Sequence, residues 1–180
     1  PYPVYRYLSE LPLLWRQVGL IQVDERYVPA DSPENNWQSI KEAFGTEFIQ
    51  RLAFTCYFKY HSSREESLEY AKTCLPDSPT VTILGIGQDG HIASLFPGLD
   101  HTEASGYVCA SEAPSEYETQ ARMSLTLPYI MQSDTVIVLA SGAGKAQAIN
   151  MLTTGSGSPR DFPALYLLDH PHLEIHWLTS

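Results

Sequence analysis

Basic residues are scarce in this chain. Eleven Lys and Arg stand against 21 Asp and Glu in 180 residues, for a formal net charge of −10. Nucleic acid and anionic membranes both require a concentrated positive face, so both are disfavoured as partners. Cysteine is sparse as well. Cys56, Cys74 and Cys109 form neither an even-numbered framework nor a Cys-x-x-Cys site, and they read as buried or free thiols of a reducing compartment. No apolar run reaches membrane length and no signal-peptide pattern occurs, so the expected setting is the cytoplasm. Repeats, low-complexity tracts and interdomain linkers are absent, and residues 1–180 are expected to form a single domain. With 43% hydrophobic and 18% charged residues, such a chain can bury a sizeable core.

What is present is an alternation of β-type apolar runs with helical patterns, the rhythm of an α/β fold. Strands are expected at Gly19–Val23, Val81–Ile86, Tyr107–Ala110, Met123–Leu127, Thr135–Ala140 and Leu173–Leu178. Helices with one apolar face are expected at Trp37–Phe44, Arg64–Cys74 and Gly144–Leu152. Residues 29–36, 97–102 and 153–163 are rich in turn formers and read as loops.

The most informative stretch runs from Thr82 to Gly98, TILGIGQDGHIASLFPG. Its apolar start resembles a central parallel strand, and three glycines then allow a sharp turn and a close backbone approach to a ligand. Asp89 and His91 are left at the strand's carboxyl end, where α/β enzymes keep their chemistry. Gly85-x-Gly87-x-x-Gly90 also satisfies a dinucleotide-binding fingerprint, with Glu112 at about the distance of a ribose-binding acid. Phe96-Pro97-Gly98 argues against that reading, because it ends any helix after about one turn and leaves no crossover helix.

A second group follows the strand ending at Val23: Asp24-Glu25-Arg26, with Asn35 and Asn36 further on. In isolation the triplet is a solvated loop with an ion pair. At a strand end, Asp24 could instead hold a reacting hydroxyl or water, and Arg26 could present its fork to a carbonyl oxygen or phosphate. Arg122 opens one strand and Lys145 follows another, and each could bind an anion; the plain alternatives are an edge-strand charge and an exposed first-turn residue. A cation at a helix start opposes the dipole, which favours a functional reason for Lys145. Gly142-Ala143-Gly144-Lys145 is not a P-loop, since Leu139 and Ala146 replace the required glycine and hydroxyl. Ser94 lacks a Gly-x-Ser-x-Gly context, so a packing or capping role suits it better than a nucleophilic one.

Taken together, Asp24-Glu25-Arg26 with Val28-Pro29 and Asn36, Gly85 to Gly98, Arg122-x-Ser124-Leu125-Thr126 and Gly142-x-x-Lys145 resemble the 6-phosphogluconolactonases. Glucosamine-6-phosphate deaminases share parts of this pattern. They carry a Glu five residues beyond the His, where this chain has Phe96, and Asp-Glu-Tyr where it has Asp24-Glu25-Arg26; both differences favour the lactonase branch. The resemblance implies a Rossmann-like α/β fold with a mostly parallel sheet and helices on both faces. It implies hydrolysis of 6-phospho-D-glucono-1,5-lactone with no metal or organic cofactor, in a monomer or weak homo-oligomer. On the residues, His91 is the expected general base. Asp89 either fixes its tautomer or caps the short helix expected after it. Backbone amides from Gly87 to Gly90, with Arg26, are expected at the oxyanion, and Arg122 and Lys145 at the 6-phosphate. The alternatives are a deaminase or isomerase acting on a sugar phosphate, and a non-catalytic sugar-phosphate-binding domain.

The family pattern places a strand and a Gly-Gly-Ser/Thr-Pro phosphate loop before the Asp-Glu-Arg segment. This chain begins at Pro1-Tyr2-Pro3-Val4-Tyr5-Arg6-Tyr7-Leu8, which resembles the helix after that loop. The chain therefore reads as N-terminally incomplete, with an exposed strand edge and partial activity as expectations. At the other end, His172, Glu174 and His176 would share one strand face. A half-exposed terminal strand explains that alternation without a metal.

Overall fold

The computed structural model describes residues 2–179, and Pro1 lies outside them. Among the described residues there are eight strands: β1 (Gly19–Ile21), β2 (Asp24–Arg26), β3 (Phe54–Cys56), β4 (Val81–Leu84), β5 (Val108–Glu112), β6 (Ala121–Leu125), β7 (Thr135–Ser141) and β8 (Leu173–Leu178). Six α-helices accompany them: α1 (Tyr2–Ser9), α2 (Asn36–Phe44), α3 (Thr46–Ile49), α4 (Arg64–Lys72), α5 (Leu127–Ile130) and α6 (Ala146–Thr154). The α/β class expected from the alternation is the one observed. Parallel pairing joins β1 to β3 and runs through β4-β7-β8, while β2-β6-β5 form an antiparallel sheet.

The core lies under β4 and β7, whose inward positions Leu84, Val136 and Val138 are buried with Ile149 and Leu152 of α6. A 3-10 stretch, Pro163–Asp169, contributes Ala164, Leu165 and Leu167 to the same cluster. Asn35 and Ser63 cap α2 and α4, accepting hydrogen bonds from the amides of Gln38 and Glu66, so these helices start where a cap is available.

Three expectations need correction. β4 was expected to be a central strand, but among the described residues it pairs only with β7, and Val81 is 51% exposed. Its free edge and that of β1 face a groove of about 710 Å³, lined by Leu20, Val23, Ile83 and Leu125 and reaching Asp24 and Gly85. Asp24-Glu25-Arg26 was expected to follow a strand ending at Val23 and is instead a strand of its own, because β6 supplies a hydrogen-bonding edge that local propensity does not reveal. Finally, Cys56 and Cys74 form a disulfide joining β3 to the end of α4. Only Cys109 is a free thiol among the described residues, and burial pushes it up to about 11. No helix among the described residues is long and apolar enough to cross a membrane.

Candidate active site

The chain leaves the parallel β1-β3 pair at Gln22, whose amide still reaches the Cys56 carbonyl, and joins the antiparallel sheet at Asp24. Asp24 therefore stands where one sheet hands over to another. In the β2-β6 register Asp24 faces Ser124 and Arg26 faces Arg122. Like charges opposed across a strand pair are unfavourable unless something negative lies between or beside them. Asp24 supplies part of that charge, and its field acts on Arg122. Glu34 adds to it. Arg122 is only 4% exposed, its Nε is buried without a hydrogen-bond partner, and burial with the neighbouring Arg26 pushes its guanidinium down. Arg26 is held from the other side by the Glu34 carbonyl at 2.8 Å and Asn36 Oδ1 at 2.9 Å.

The carboxyl end of β4 runs into Gly85–His91. His91 Nδ1 lies 2.6 Å from Asp89 Oδ1, and the Asp89 carboxylate also accepts the His91 amide at 3.3 Å. Burial would raise the Asp89 carboxyl, but its hydrogen bond to His91 and the imidazole's charge outweigh that and hold it below the usual carboxylate range. The Asp89 carboxylate orients the imidazole through Nδ1 and leaves Nε2 turned away from it. The short helix expected after Gly90 does not form. Ala93 takes a positive φ of 49°, and Ile92 and Leu95 close a tight bridge instead, so Asp89 has no helix to cap.

That bridge turns Ser94 inward. Its hydroxyl donates to Asp24 Oδ2 at 2.8 Å, its amide to Ser124 Oγ at 3.3 Å, and its carbonyl accepts from Ser111 Oγ at 2.6 Å. Ser94 thus ties the His91 loop to β2, β6 and β5, a positioning role rather than a nucleophilic one. Burial pushes the Asp24 carboxyl up, against the hydrogen bond from Ser94 and the charges of Arg26, Arg122 and His91. A carboxyl raised above its unfolded value favours folding in its protonated form, and that contribution is lost as pH rises through the folded pKa. Asp24→Asn should therefore melt higher than the parent at pH 7, on the order of a few degrees. The advantage should vanish as pH falls below the unfolded carboxylate pKa of about 3.9. Thermal melts across pH check this, and a variant that melts lower at pH 7 would reverse the sign of the Asp24 contribution.

The glycines act through shape. The Gly87 amide donates to the His91 carbonyl at 2.8 Å and the Gly90 amide to the Gly87 carbonyl at 3.2 Å, so neither is directed at an oxyanion as expected. A Cβ on Gly87 would overlap His91 Nδ1 and Asp89 Oδ1, and one on Gly90, whose φ is 80°, would overlap the ring of Phe162. Gly87→Ala is expected to part the His91–Asp89 pair and lower turnover roughly 10- to 100-fold, the scale of a 1 Å misplacement. Its melting temperature should stay near the parent's. Unchanged turnover in the variant would show that the pair's geometry is not limiting.

Lys145 follows β7 in a 3-10 turn and has no ion pair among the described residues. It is brought toward the loop only indirectly: the neighbouring Gly144 backbone lies beside the Gln88 side chain. Residues that sequence reasoning did not assign are Asn36 as the holder of Arg26, and Tyr117. The ring of Tyr117 covers the Arg122 guanidinium at 5.5 Å and lies 6.2 Å from His91. Glu112, the acid that a dinucleotide site would need, is paired with Arg64. At the C-terminus His176 bonds Glu174 at 3.0 Å, and among the described residues no group of three or more His, Cys, Asp or Glu could hold a metal.

A base oriented by a carboxylate, beside two arginines and a raised acid, suits hydrolysis of an activated ester that carries negative charge. Comparison with known proteins agrees. The chain is 31% identical over 175 residues to the 6-phosphogluconolactonase of Mycobacterium tuberculosis, covering 88% of this chain and 70% of that protein. The crystal structure of 6-phosphogluconolactonase from Thermotoga maritima superposes with a TM-score of 0.81 at 26% identity, covering 100% of this chain and 81% of that one. A monomeric glucosamine-6-phosphate deaminase shares the fold, with a TM-score of 0.80 at 19% identity over 100% of this chain and 81% of its own. The family model described as glucosamine-6-phosphate isomerases/6-phosphogluconolactonase matches residues 1–177, and the chain belongs to that family.

Proposed function

We propose that the chain is a 6-phosphogluconolactonase, a carboxylic ester hydrolase that opens 6-phospho-D-glucono-1,5-lactone to 6-phosphogluconate in the oxidative pentose phosphate pathway. The observation that carries this reading is the His91–Asp89 pair set beside two opposed arginines, one with a buried N–H lacking an acceptor. In the mechanism, His91 Nε2 takes a proton from water as the water oxygen bonds to the lactone carbonyl carbon. Asp89 stabilises the imidazolium that results. The carbonyl electrons move onto oxygen, where the Arg26 guanidinium offers a fixed positive charge. The intermediate then collapses, the bond from carbon to the ring oxygen breaks, and His91 returns its proton to that oxygen as it becomes a hydroxyl. Water is the only co-reactant consumed.

Arg122, with Lys145 approaching from the β7 side, binds the 6-phosphate. The groups left unpaired inside the protein are then the ones that meet the substrate's permanent charge. Asp24 holds a substrate hydroxyl or the attacking water near His91. Gly87 and Gly90 contribute by keeping the loop close rather than by donating hydrogen bonds. Cytoplasmic residence was expected from unpaired cysteines together with the lack of a signal-peptide pattern and of a membrane-length apolar run, and the Cys56–Cys74 bridge removes the cysteine part of that support. A monomer or weak homo-oligomer remains the proposed assembly.

Release of acid from freshly prepared 6-phosphogluconolactone tests the reading. Spontaneous hydrolysis is subtracted, and release above it is expected. Ammonia release from glucosamine 6-phosphate in its place would make the chain a deaminase. Binding of 6-phosphogluconate without turnover would make it a binding domain.

A further inference from the structure

The loop from Ala113 to Gln120 joins β5 to β6, and it closes on itself through the Ala113 amide on the Gln120 carbonyl and the Tyr117 amide on the Pro114 carbonyl. This brings Tyr117 back over its own sheet. Its half-buried ring sits 5.5 Å from the Arg122 guanidinium carbon, 5.7 Å from the Phe96 ring and 6.2 Å, edge-on, from the His91 ring. His91 and Phe96 are themselves 4.9 Å apart. One aromatic side chain therefore touches both the base and the arginine assigned to the phosphate. A ring over a guanidinium attracts it through the quadrupole and leaves the N–H edges for an anion. Arg122 Nε has no hydrogen-bond acceptor among the described residues, so no hydrogen bond to that nitrogen competes with the ring in orienting the guanidinium.

We propose that Tyr117 is a positioning residue that sets specificity for the phosphorylated substrate, its ring fixing the Arg122 guanidinium for the 6-phosphate. The inference rests on the reading of Arg122 as a phosphate-binding residue. It separates the ring of Tyr117 from its hydroxyl, which has no hydrogen-bond partner among the described residues: the ring holds Arg122, and the hydroxyl is dispensable for discrimination. Burial and the charge of Asp89 push that phenol up, so it stays neutral over the working range.

The test compares kcat/KM for 6-phosphogluconolactone with that for the unphosphorylated δ-gluconolactone in the parent, Tyr117→Phe, Tyr117→Leu and Arg122→Gln. Tyr117→Phe should keep the ratio within about twofold. Tyr117→Leu should lower it about three- to fivefold, the range of an exposed to half-buried cation–π contact, chiefly through a higher KM for the phosphorylated lactone. Arg122→Gln should lower it at least tenfold. If Arg122→Gln lowers the ratio and Tyr117→Leu does not, the Tyr117 proposal is overturned and the Arg122 assignment stands. If Arg122→Gln leaves the ratio unchanged, the assignment itself fails. Equal loss on both substrates in Tyr117→Leu would assign the ring a merely structural role and also overturn the proposal.

Discussion

His91→Ala should lower kcat for 6-phosphogluconolactone by about 10²- to 10⁴-fold, the range that a positioned general base supplies. The change in KM should be small, because the proposed mechanism has the substrate's charge met by Arg122 and Lys145 rather than by the imidazole. The loss falls on kcat for a physical reason: Nε2 must be unprotonated and oriented at the moment water attacks, and Asp89 secures the orientation from the Nδ1 side at 2.6 Å. Asp89→Asn should therefore be milder, roughly 10- to 100-fold, since an amide can rotate to accept the same proton but cannot stabilise the imidazolium by charge. Acid release in weak buffer with a pH indicator measures both, and spontaneous ring opening must be subtracted because the lactone is already activated. Near-parental turnover in His91→Ala would move the base to Asp24, whose raised carboxyl lies within the field of His91.

The parts of this site differ in how visible they were in the sequence. The apolar runs of β4, β7 and β8 and the capped starts of α2 and α4 are local signals, and these elements fell close to where periodicity put them. β3 spans three residues, Phe54–Cys56, and carries no period, while α5 is announced only by Thr126 and Pro128 in a stretch that also reads as the end of a strand. Asp24, Arg26, Arg122, Asp89 and His91 were each marked by chemistry at a strand end. That Arg26 faces Arg122 is a statement of register between strands almost a hundred residues apart, and nothing in either segment alone encodes it. The same holds for Cys56 and Cys74, whose pairing depends on α4 returning to β3, and for Tyr117, an ordinary loop aromatic until the hairpin folds it over Arg122. Ser94 was given a packing role rather than a nucleophilic one, and its contact with Asp24 appears only once the loop after Gly90 forms a bridge instead of a helix.

Glu25→Ala should be among the most destabilising single changes in the chain, on the order of 3–5 kcal/mol, because it strips the acceptor from four donors, among them the buried Gln22 and Trp37 groups, and a buried donor left unsatisfied costs about 1–3 kcal/mol. At about 2–4 °C per kcal/mol for a domain of this size, that corresponds to a fall in Tm of roughly 6–20 °C. Glu25 lies between Asp24 and Arg26 on β2, so strand alternation directs it away from the site and into the protein, where it is 1% exposed. Its Oε1 accepts from the Arg26 amide at 2.9 Å and the Asn36 amide at 2.7 Å, and its Oε2 from Gln22 Nε2 at 2.7 Å and the Trp37 amide at 2.8 Å. Burial pushes this carboxyl up and the four donors pull it back, leaving it above the usual carboxylate range. Two of those donors are the first amides of α2, which have no partner within the helix and meet the carboxylate at the positive end of the dipole. The same turn carries Asn36, which grips Arg26 through Oδ1 and the Asp24 carbonyl through Nδ2 at 3.1 Å. Removing Glu25 therefore both unmoors α2 and releases Arg26, so stability and turnover should fall together. Glu25→Gln keeps the shape but sets an NH₂ donor against amide donors, and it should fall between the parent and the alanine variant. Circular dichroism melts and urea titrations measure the loss, and an alanine variant within about 1 kcal/mol of the parent would mean that α2 is held by its Asn35 cap alone.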